Sequence, residues 1–332
     1  MTNQKIIPNP AGQLQRRTLS IANRYGVFIL AVLVFAVASV AIPGLLSGNS
    51  LKALLVLSSI LGIASIGQTI VILLGGLDLS VAAVIALSSV MLAVLVGDGW
   101  PVWLTLLLIA ASATVIGIIN GLASYYLRAP SLVVTLAMGS VVIGITMVIQ
   151  QGAAGGVVPP WITDSVSIDS STFGLPLPPV VLVWILLTVV VVVLQRRSRT
   201  LRRIFAAGTN TRAARLSLIS VASLWAITFA VSGLCAALAG VFLAGFSGGA
   251  NLDIGDPYLF LTLAAVVVGG TSLLGGRGGV GKTFAGSFLI INLTTLLLGI
   301  GINTNIQQAL LGLLIVILVF IYGREEHVRK RI

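Results

Sequence analysis

The eight residues from Gly276 to Thr283 match the phosphate-binding pattern of spaced glycines, a lysine and a hydroxyl residue at every position. A working loop of this kind needs a preceding strand, a water-facing site and an acidic residue for Mg²⁺. Here the match lies between two apolar runs, and no acidic residue occurs between Asp256 and Glu325. We therefore expect these glycines to allow close backbone approach at a membrane turn, without binding a nucleotide.

A second chemical feature is an acid and a hydroxyl residue at a break between two apolar runs. Gly75 and Gly76 interrupt the first run, and Asp78 and Ser80 stand at the start of the next. Such side chains accept hydrogen bonds from unpaired N–H groups in the first turn of a helix, where the helix dipole also favours negative charge. Two interpretations follow: Asp78 caps a helix at a tight turn, or it binds a polar substrate directly.

Two uncharged polar residues lie inside neighbouring apolar runs. Asn120 precedes a short linker that contains Pro130, and Thr135 follows it. Within a membrane, such groups form hydrogen bonds between helices or contact a hydroxyl-rich solute. The sequence alone leaves both uses open.

Groups suited to covalent chemistry are scarce. The single histidine, His327, lies among charged residues near the C-terminus, and the single cysteine, Cys235, lies inside an apolar run. No residues show metal-ligand spacing, and one cysteine cannot form a disulfide within one chain. We therefore expect neither a catalytic residue nor a metal site, in a protein that binds or conducts a solute.

The composition indicates what positions these residues. Of 332 residues, 58% are hydrophobic and only 8% are charged, which excludes a soluble globular protein. The net charge of +11 does not indicate a nucleic-acid partner, because no polar domain is present to form a groove. The sequence predicts an all-α polytopic membrane protein.

The apolar runs predict about ten transmembrane helices, because a hydrocarbon core of roughly 30 Å needs about 20 apolar residues per helix. The predicted spans are Val27 to Pro43, Leu54 to Leu74, Leu79 to Val96, Val102 to Tyr125, Leu132 to Ile149, Val180 to Leu194, Leu218 to Gly245, Leu259 to Val268, Phe284 to Ile300 and Ile306 to Tyr322. The eighth is the least regular, since its glycine-rich end also fits a re-entrant turn, so we expect discontinuous or re-entrant segments.

The distribution of charge predicts the topology. With ten alternating spans and a cytoplasmic N-terminus, every Lys and Arg except Lys52 falls on the cytoplasmic side, where positive charge is enriched. Seven of the arginines lie within residues 195–217, which gives a cytoplasmic loop. The predicted organisation is a cytoplasmic tail (1–26), one transmembrane domain (27–322) and a second cytoplasmic tail (323–332).

The longest predicted external loop covers residues 150–179 and contains five prolines. It is too short for a domain and is a poor helix former. It is either a solvated connector or a docking surface for an external partner. The same topology places Asp98, Asp164, Asp169, Asp253 and Asp256 on the external face.

Several ordered motifs resemble one family, the permease subunits of bacterial ATP-binding-cassette importers, in the branch for ribose, xylose and similar monosaccharides. The resemblance runs from about Leu51 to Tyr322. Its motifs are Gly75 to Ser80, Asn120-Gly121 with Pro130 and Thr135-Leu136, Gly208 to Asn210 with Ala213 to Ser217, Ser232 to Leu234 with Ala239-Gly240, and Ala264 to Ser272 with Gly275 to Gly278.

The resemblance implies a mechanism shared between chains. Two permease subunits form the pore, as a homodimer or a heterodimer, in the bacterial inner membrane. A partner ATPase binds ATP and Mg²⁺, so this chain has no cofactor, and an external binding protein delivers the solute. The implied ATPase-coupling helix contains Arg202, Arg203, Gly208, Asn210, Ala213, Ala214, Arg215 and Ser217. The implied membrane turns and translocation pathway contain Gly75, Gly76, Asp78, Ser80, Asn120, Thr135, Gly269, Gly270, Thr271 and Ser272.

The chain departs from the pattern of these sugar permeases at several positions. Leu259 to Leu261 replace a usual Glu-Leu-Asp, Leu218 replaces a usual glycine, and Lys282 replaces a small or apolar residue. The expected solute is a monosaccharide. The alternatives are an importer permease for another solute, such as an amino acid or a nucleoside, and a secondary transporter driven by an ion gradient.

Overall fold

A computed structural model describes residues 10–150 and 155–329, with the side chains of 10–24, 318, 319 and 321–329 left aside. Lys5, Lys330 and Arg331, which contribute to the predicted topology, lie outside the described residues. Within them the chain is helical, and its extended pairings are two isolated bridges, Gly155 with Ala250 and Thr172 with Leu175.

Thirteen α-helices and one 3-10 helix form the described part of the chain. In order they are α1 (Pro10–Ala41), α2 (Gly48–Leu74), α3 (Val81–Gly97), α4 (Val102–Tyr126), α5 (Ser131–Gln150), α6 (Pro160–Val166), α7 (Pro179–Arg197), α8 (Arg199–Thr209), α9 (Thr211–Leu216), α10 (Val221–Ser247), the 3-10 helix (Leu252–Gly255), α11 (Asp256–Val268), α12 (Val280–Gly299) and α13 (Thr304–Arg329).

The prediction of an all-α polytopic membrane protein is confirmed at this level. Among the described residues, six helices are long and apolar enough to cross a membrane, namely α2, α4, α5, α7, α10 and α12. Three shorter apolar helices cover Tyr25–Ala41, Val81–Gly97 and Thr304–Ile317. The eighth predicted span corresponds to α11, whose 13 residues extend only about 20 Å.

Helices α2 and α3 form the centre of the molecule. Nearly every residue of α2 from Val56 to Leu74 is buried, as is every residue of α3 from Val81 to Ala93. In contrast, α4, α5 and α7 leave many large apolar side chains exposed. A helix that is apolar on all sides suits either a buried core or a lipid contact. Among the described residues, buried polar side chains come from many helices, and α2 contributes more of them than any other helix.

Helix α10 packs against α4 through small residues. A Cβ on Gly117 would collide with the carbonyl oxygen of Phe229, and a Cβ on Gly121 would collide with that of Trp225. On the facing helix, a Cβ on Gly233 would collide with the carbonyl oxygen of Ala113. This close antiparallel contact is the small-residue packing that membrane helices use, since lipid provides no hydrophobic driving force between them.

The chain between α10 and α11 runs back along α3. Ala250 pairs with Gly155, and the amide of Val157 donates to the carbonyl oxygen of Ala93, near the C-terminal end of α3. Gly255 instead contacts Ala82, in the first turn of α3, where a Cβ on Gly255 would collide with the Ala82 carbonyl oxygen. Ala82 and Ala93 are about 16 Å apart along the helix. Helices α3 and α11 therefore begin side by side within the molecule.

Candidate functional site

The break between α2 and α3 forms a hydrogen-bonded network around Asp78, which is 3% exposed. Its Oδ1 accepts from the amide of Ser80 at 3.1 Å and from the Ser80 hydroxyl at 2.6 Å. The same hydroxyl accepts from Nδ2 of Asn120 on α4 at 2.9 Å. The Ser80 side chain therefore serves Asp78 and does not cap α3.

Helix α5 satisfies the backbone of the same break. The amide of Leu77 donates to the hydroxyl of Ser131 at 2.8 Å, and the amide of Leu79 donates to the hydroxyl of Thr135 at 3.0 Å. Without these partners, two partly buried N–H groups would lie outside any helix, and an unpaired backbone group away from water costs free energy comparable to a lost hydrogen bond. The structure thus brings together four residues singled out from the sequence: Asp78, Ser80, Asn120 and Thr135.

A different set of buried polar groups has no hydrogen-bond partner within the described residues. Gln68 on α2 is the clearest case, because it is fully buried and neither atom of its amide has a partner. The hydroxyls of Ser58 and Ser65 on the same helix are also unpartnered. Positions 58, 65 and 68 share one helix face. Sequence reasoning missed these residues, although their spacing was visible, because they match none of the motifs.

Three segments meet backbone to backbone at the end of α2. The amide of Gly276 donates to the carbonyl oxygen of Leu73 at 2.9 Å. A Cβ on Gly208, near the end of α8, would collide with the same carbonyl. A Cβ on Gly275 would lie 3.0 Å from the carbonyl oxygen of Gly208 and 3.0 Å from the amide of Gly75. We call this meeting of the ends of α2 and α8 with residues 269–279 the glycine junction.

The remaining residues predicted for the pathway hold the glycine junction in shape. The amide of Thr271 donates to the carbonyl of Val266, and its hydroxyl accepts from the amide of Gly279. The amide of Ser272 donates to the carbonyl of Arg277 at 2.9 Å. Gly270, Gly275 and Gly276 all have positive φ, which glycine adopts without strain. Gly269 packs on Thr283 at the start of α12, away from the Asp78 network.

The phosphate-binding pattern does not form a nucleotide site. Gly276, Gly278 and Gly279 belong to the loop between helices α11 and α12, and Gly281 lies in the first turn of α12, so no strand precedes the pattern. The hydroxyl of Thr283, which would have to reach Mg²⁺, is buried and lies 2.9 Å from the hydroxyl of Thr69 on α2. The expectation of a membrane turn fits this geometry.

The arginine-rich segment forms two short helices across one end of the molecule. Helix α8 buries Leu201, Ile204 and Ala207 and exposes Arg202 and Arg203. The Asn210 side chain then caps α9 by accepting from the amide of Ala213 at 3.0 Å.

Small and apolar residues of α9 divide between the two sides of that helix. Ala213 is exposed, whereas Ala214 is buried. Ser217 is exposed and donates to the carbonyl of Ala213, while the guanidinium of Arg215 lies 5.3 Å from the ring of Tyr125.

The backbone after α9 is left-handed at Leu218, which is 95% exposed and has a φ of +57°. This left-handed backbone favours glycine at that position.

Comparison with known proteins identifies the family. Residues 50–319 match the family described as "Branched-chain amino acid transport system / permease component". The ribose import permease of Haemophilus influenzae is 31% identical over 88% of this chain and 90% of its own length. A probable ABC transporter permease of Escherichia coli is 31% identical over 94% of each chain. An autoinducer 2 import system permease of Photorhabdus laumondii is 30% identical over 91% of this chain and 92% of its own. No solved structure matches the chain.

Proposed function

The chain belongs to the family of branched-chain amino acid transport system permease components, and on that premise we propose that it forms the membrane path for a small, uncharged, hydroxyl-rich solute. It is the permease subunit of a bacterial ATP-binding-cassette importer, a multi-pass membrane protein. Such a subunit is not an enzyme and binds no cofactor. An ATPase and a solute-binding protein are its partners.

The scarcity of buried charged side chains supports an uncharged solute. Among the described residues, Asp78 is the only charged side chain that is buried, and it already accepts two hydrogen bonds from Ser80. An amino acid zwitterion would need buried groups of both charges to replace its lost hydration. The other buried polar residues offer only hydroxyls and amides, which suit sugar hydroxyls.

Unpartnered groups, rather than the Asp78 network, supply the contacts in our proposal. The Ser80 hydroxyl both donates and accepts within the network, so little of its hydrogen-bonding capacity remains for a solute. Gln68 can still donate and accept, and Ser58 and Ser65 share its helix face. We assign Asp78, Ser80, Asn120 and Thr135 to bracing the break in the helices, and Gln68 to solute recognition.

The arginine-rich end is cytoplasmic in this proposal. Lys52 is the one basic residue that this topology places outside. Its ammonium group donates to the carbonyl of Ile168 at 2.8 Å, so this exception to the charge rule has a hydrogen-bond partner within the protein. Ile168 lies in the loop between α5 and α7, at the end of the molecule opposite α8 and α9.

We propose one continuous domain across residues 27–322. Helix α1 extends from this domain into the predicted N-terminal tail as far as Pro10.

Helices α8 and α9 form the contact with the ATPase in our proposal. The apolar face of α8 is buried and its arginines point outward, so the segment is a fixed surface and not a loose loop. The glycine junction connects that surface to the end of α2, and from there to the turn that leads to Asp78. A movement of the ATPase that displaces α8 and α9 would therefore be transmitted by direct backbone contact to the end of α2 and the turn before Asp78.

A second permease subunit completes the pore in the proposal, either a copy of this chain or a similar one. The exposed apolar residues of α4, α5 and α7 support this arrangement, since they suit a lipid or protein neighbour and not water.

The experiment is uptake by the transporter reconstituted with its ATPase and its solute-binding protein. Radiolabelled ribose, leucine and adenosine are offered separately at equal concentrations. We expect uptake of ribose above that of the other two. Uptake of leucine alone would contradict the proposed solute class, and uptake of adenosine alone would assign the nucleoside alternative.

A further inference from the structure

A two-residue turn presents Phe173 at the end of the molecule opposite the arginines. Thr172 and Leu175 exchange two backbone hydrogen bonds of 3.0 Å. Between them, Phe173 and Gly174 have φ values of +52° and +79°. A turn with both central φ values positive favours asparagine followed by glycine, and a phenylalanine in the first position is strained.

The side chain of Phe173 gains nothing from this position within the chain. It is 97% exposed, so its ring packs on almost no atom of the described residues. A large aromatic side chain normally stabilises a protein by being buried. Backbone strain and exposure both disfavour phenylalanine here, which points to a contact outside this chain.

The turn is fixed to the rest of the molecule. The hydroxyl of Thr172 donates to the carbonyl of Leu177 at 2.8 Å, and Lys52 on α2 holds the carbonyl of Ile168. Helix α6 of the same loop buries Ile162 and Val166 against α10. A ring held on a rigid base loses little conformational entropy when it binds a partner.

We propose that Phe173 is the anchor by which the permease docks its solute-binding protein, inserting into an apolar pocket rimmed by basic residues. The proposal rests on the proposed topology, which places this turn outside the cell. Exposed Asp164 and Asp169 lie on the same loop and supply the negative charge that such a rim complements. Aromatic residues are typical of the few positions that carry most of the affinity at an interface.

The neighbours of Phe173 disfavour other occupants. Residues 169–172 read Asp-Ser-Ser-Thr, and entry of the ring into lipid would take these polar groups out of water. A symmetric contact between two copies of the turn would bring Asp164 and Asp169 close to their own copies, and like charges repel.

Binding of the solute-binding protein to the complete transporter in nanodiscs tests the proposal. Phe173→Asn suits the positive φ and keeps the turn, so it removes the ring without disturbing the fold. We expect it to weaken the affinity for the solute-binding protein about tenfold or more. Phe173→Tyr keeps an aromatic ring and the affinity. Trp103→Ala, a matched exposed aromatic at the outer end of α4, leaves the affinity unchanged.

Two outcomes would contradict the proposal that Phe173 docks the solute-binding protein. Wild-type affinity in Phe173→Asn is the first. The second comes from a spin label on Phe173→Cys in a Cys235→Ala background, which leaves no other cysteine. Greater accessibility of the label to oxygen dissolved in lipid than to a water-soluble relaxation agent would place residue 173 in the membrane. If the wild-type transporter is not stimulated by any solute-binding protein, the proposed function fails instead.

Discussion

The amide of Gly276 donates to the carbonyl oxygen of Leu73 at 2.9 Å, and Gly208 lies against that same carbonyl so closely that a Cβ there would collide with it. One backbone oxygen at the end of α2 thus joins the arginine-rich helices to the loop between α11 and α12. The following residues, Gly75 and Gly76, lead directly to Asp78. This contact is a direct backbone route from the proposed ATPase surface to the interior of the chain.

Replacement of Gly208 by alanine should separate α8 from α2. An added methyl group with no space costs about 1–3 kcal/mol through forced backbone shifts. We expect a lower melting temperature for the transporter and less solute imported per ATP hydrolysed. Thermal unfolding and paired measurements of uptake and hydrolysis check this.

Gly144→Ala is the matched control, because no atom lies within 4 Å of a Cβ at that position of α5. Alanine is favoured over glycine in a helix by about 0.5–1 kcal/mol, so this variant should be at least as stable as the wild type. A loss of coupling in Gly144→Ala equal to that in Gly208→Ala would refute the role of the glycine junction.

The Asp78 network gives a second prediction. Ser80→Ala removes the hydroxyl that donates to Asp78 and accepts from Asn120, and leaving buried polar groups unpaired costs about 1–3 kcal/mol, so we expect a lower melting temperature. Asp78→Asn keeps the shape and an acceptor oxygen, so it should assemble and transport close to the wild-type rate. Loss of uptake in Asp78→Asn at unchanged melting temperature would show instead that Asp78 contacts the solute.

The helices were largely predictable from the sequence, because long apolar runs specify them, whereas the side of the membrane on which the arginines lie stays a prediction. The grouping of Asn120 with Ser80 was not predictable, since it depends on how α4 packs against the break. Residues 251–255 were expected at the external face. Their return along α3 is fixed by the contact of Gly255 with Ala82, and their local sequence resembles an ordinary loop.

Gln68→Leu should change stability and transport in opposite directions. The buried amide has no partner among the described residues, so its removal relieves a desolvation cost of about 1–3 kcal/mol. We expect a higher melting temperature together with a KM for uptake raised about tenfold by the loss of one solute hydrogen bond. Lower stability with an unchanged KM would assign Gln68 to packing alone.

Leu218→Asn tests the strained position after α9. Asparagine tolerates a positive φ, whereas a left-handed backbone costs other residues about 1–2 kcal/mol. Since the leucine is 95% exposed, its replacement removes little packing, and the isolated permease should become more stable. Because Leu218 follows α9 closely and is exposed beside the proposed ATPase surface, we expect the ATPase to bind this variant less tightly, as measured by co-purification at graded detergent concentration. Unchanged binding would exclude Leu218 from the ATPase contact.

The energy source for uptake is the most direct test of the account. Solute accumulation is measured in cells or vesicles that hold the complete transporter, with ATP maintained while ionophores collapse the proton and sodium gradients. The account predicts that uptake continues under these conditions and stops when ATP is withdrawn. Uptake that stops with the ionophores while ATP remains would contradict it.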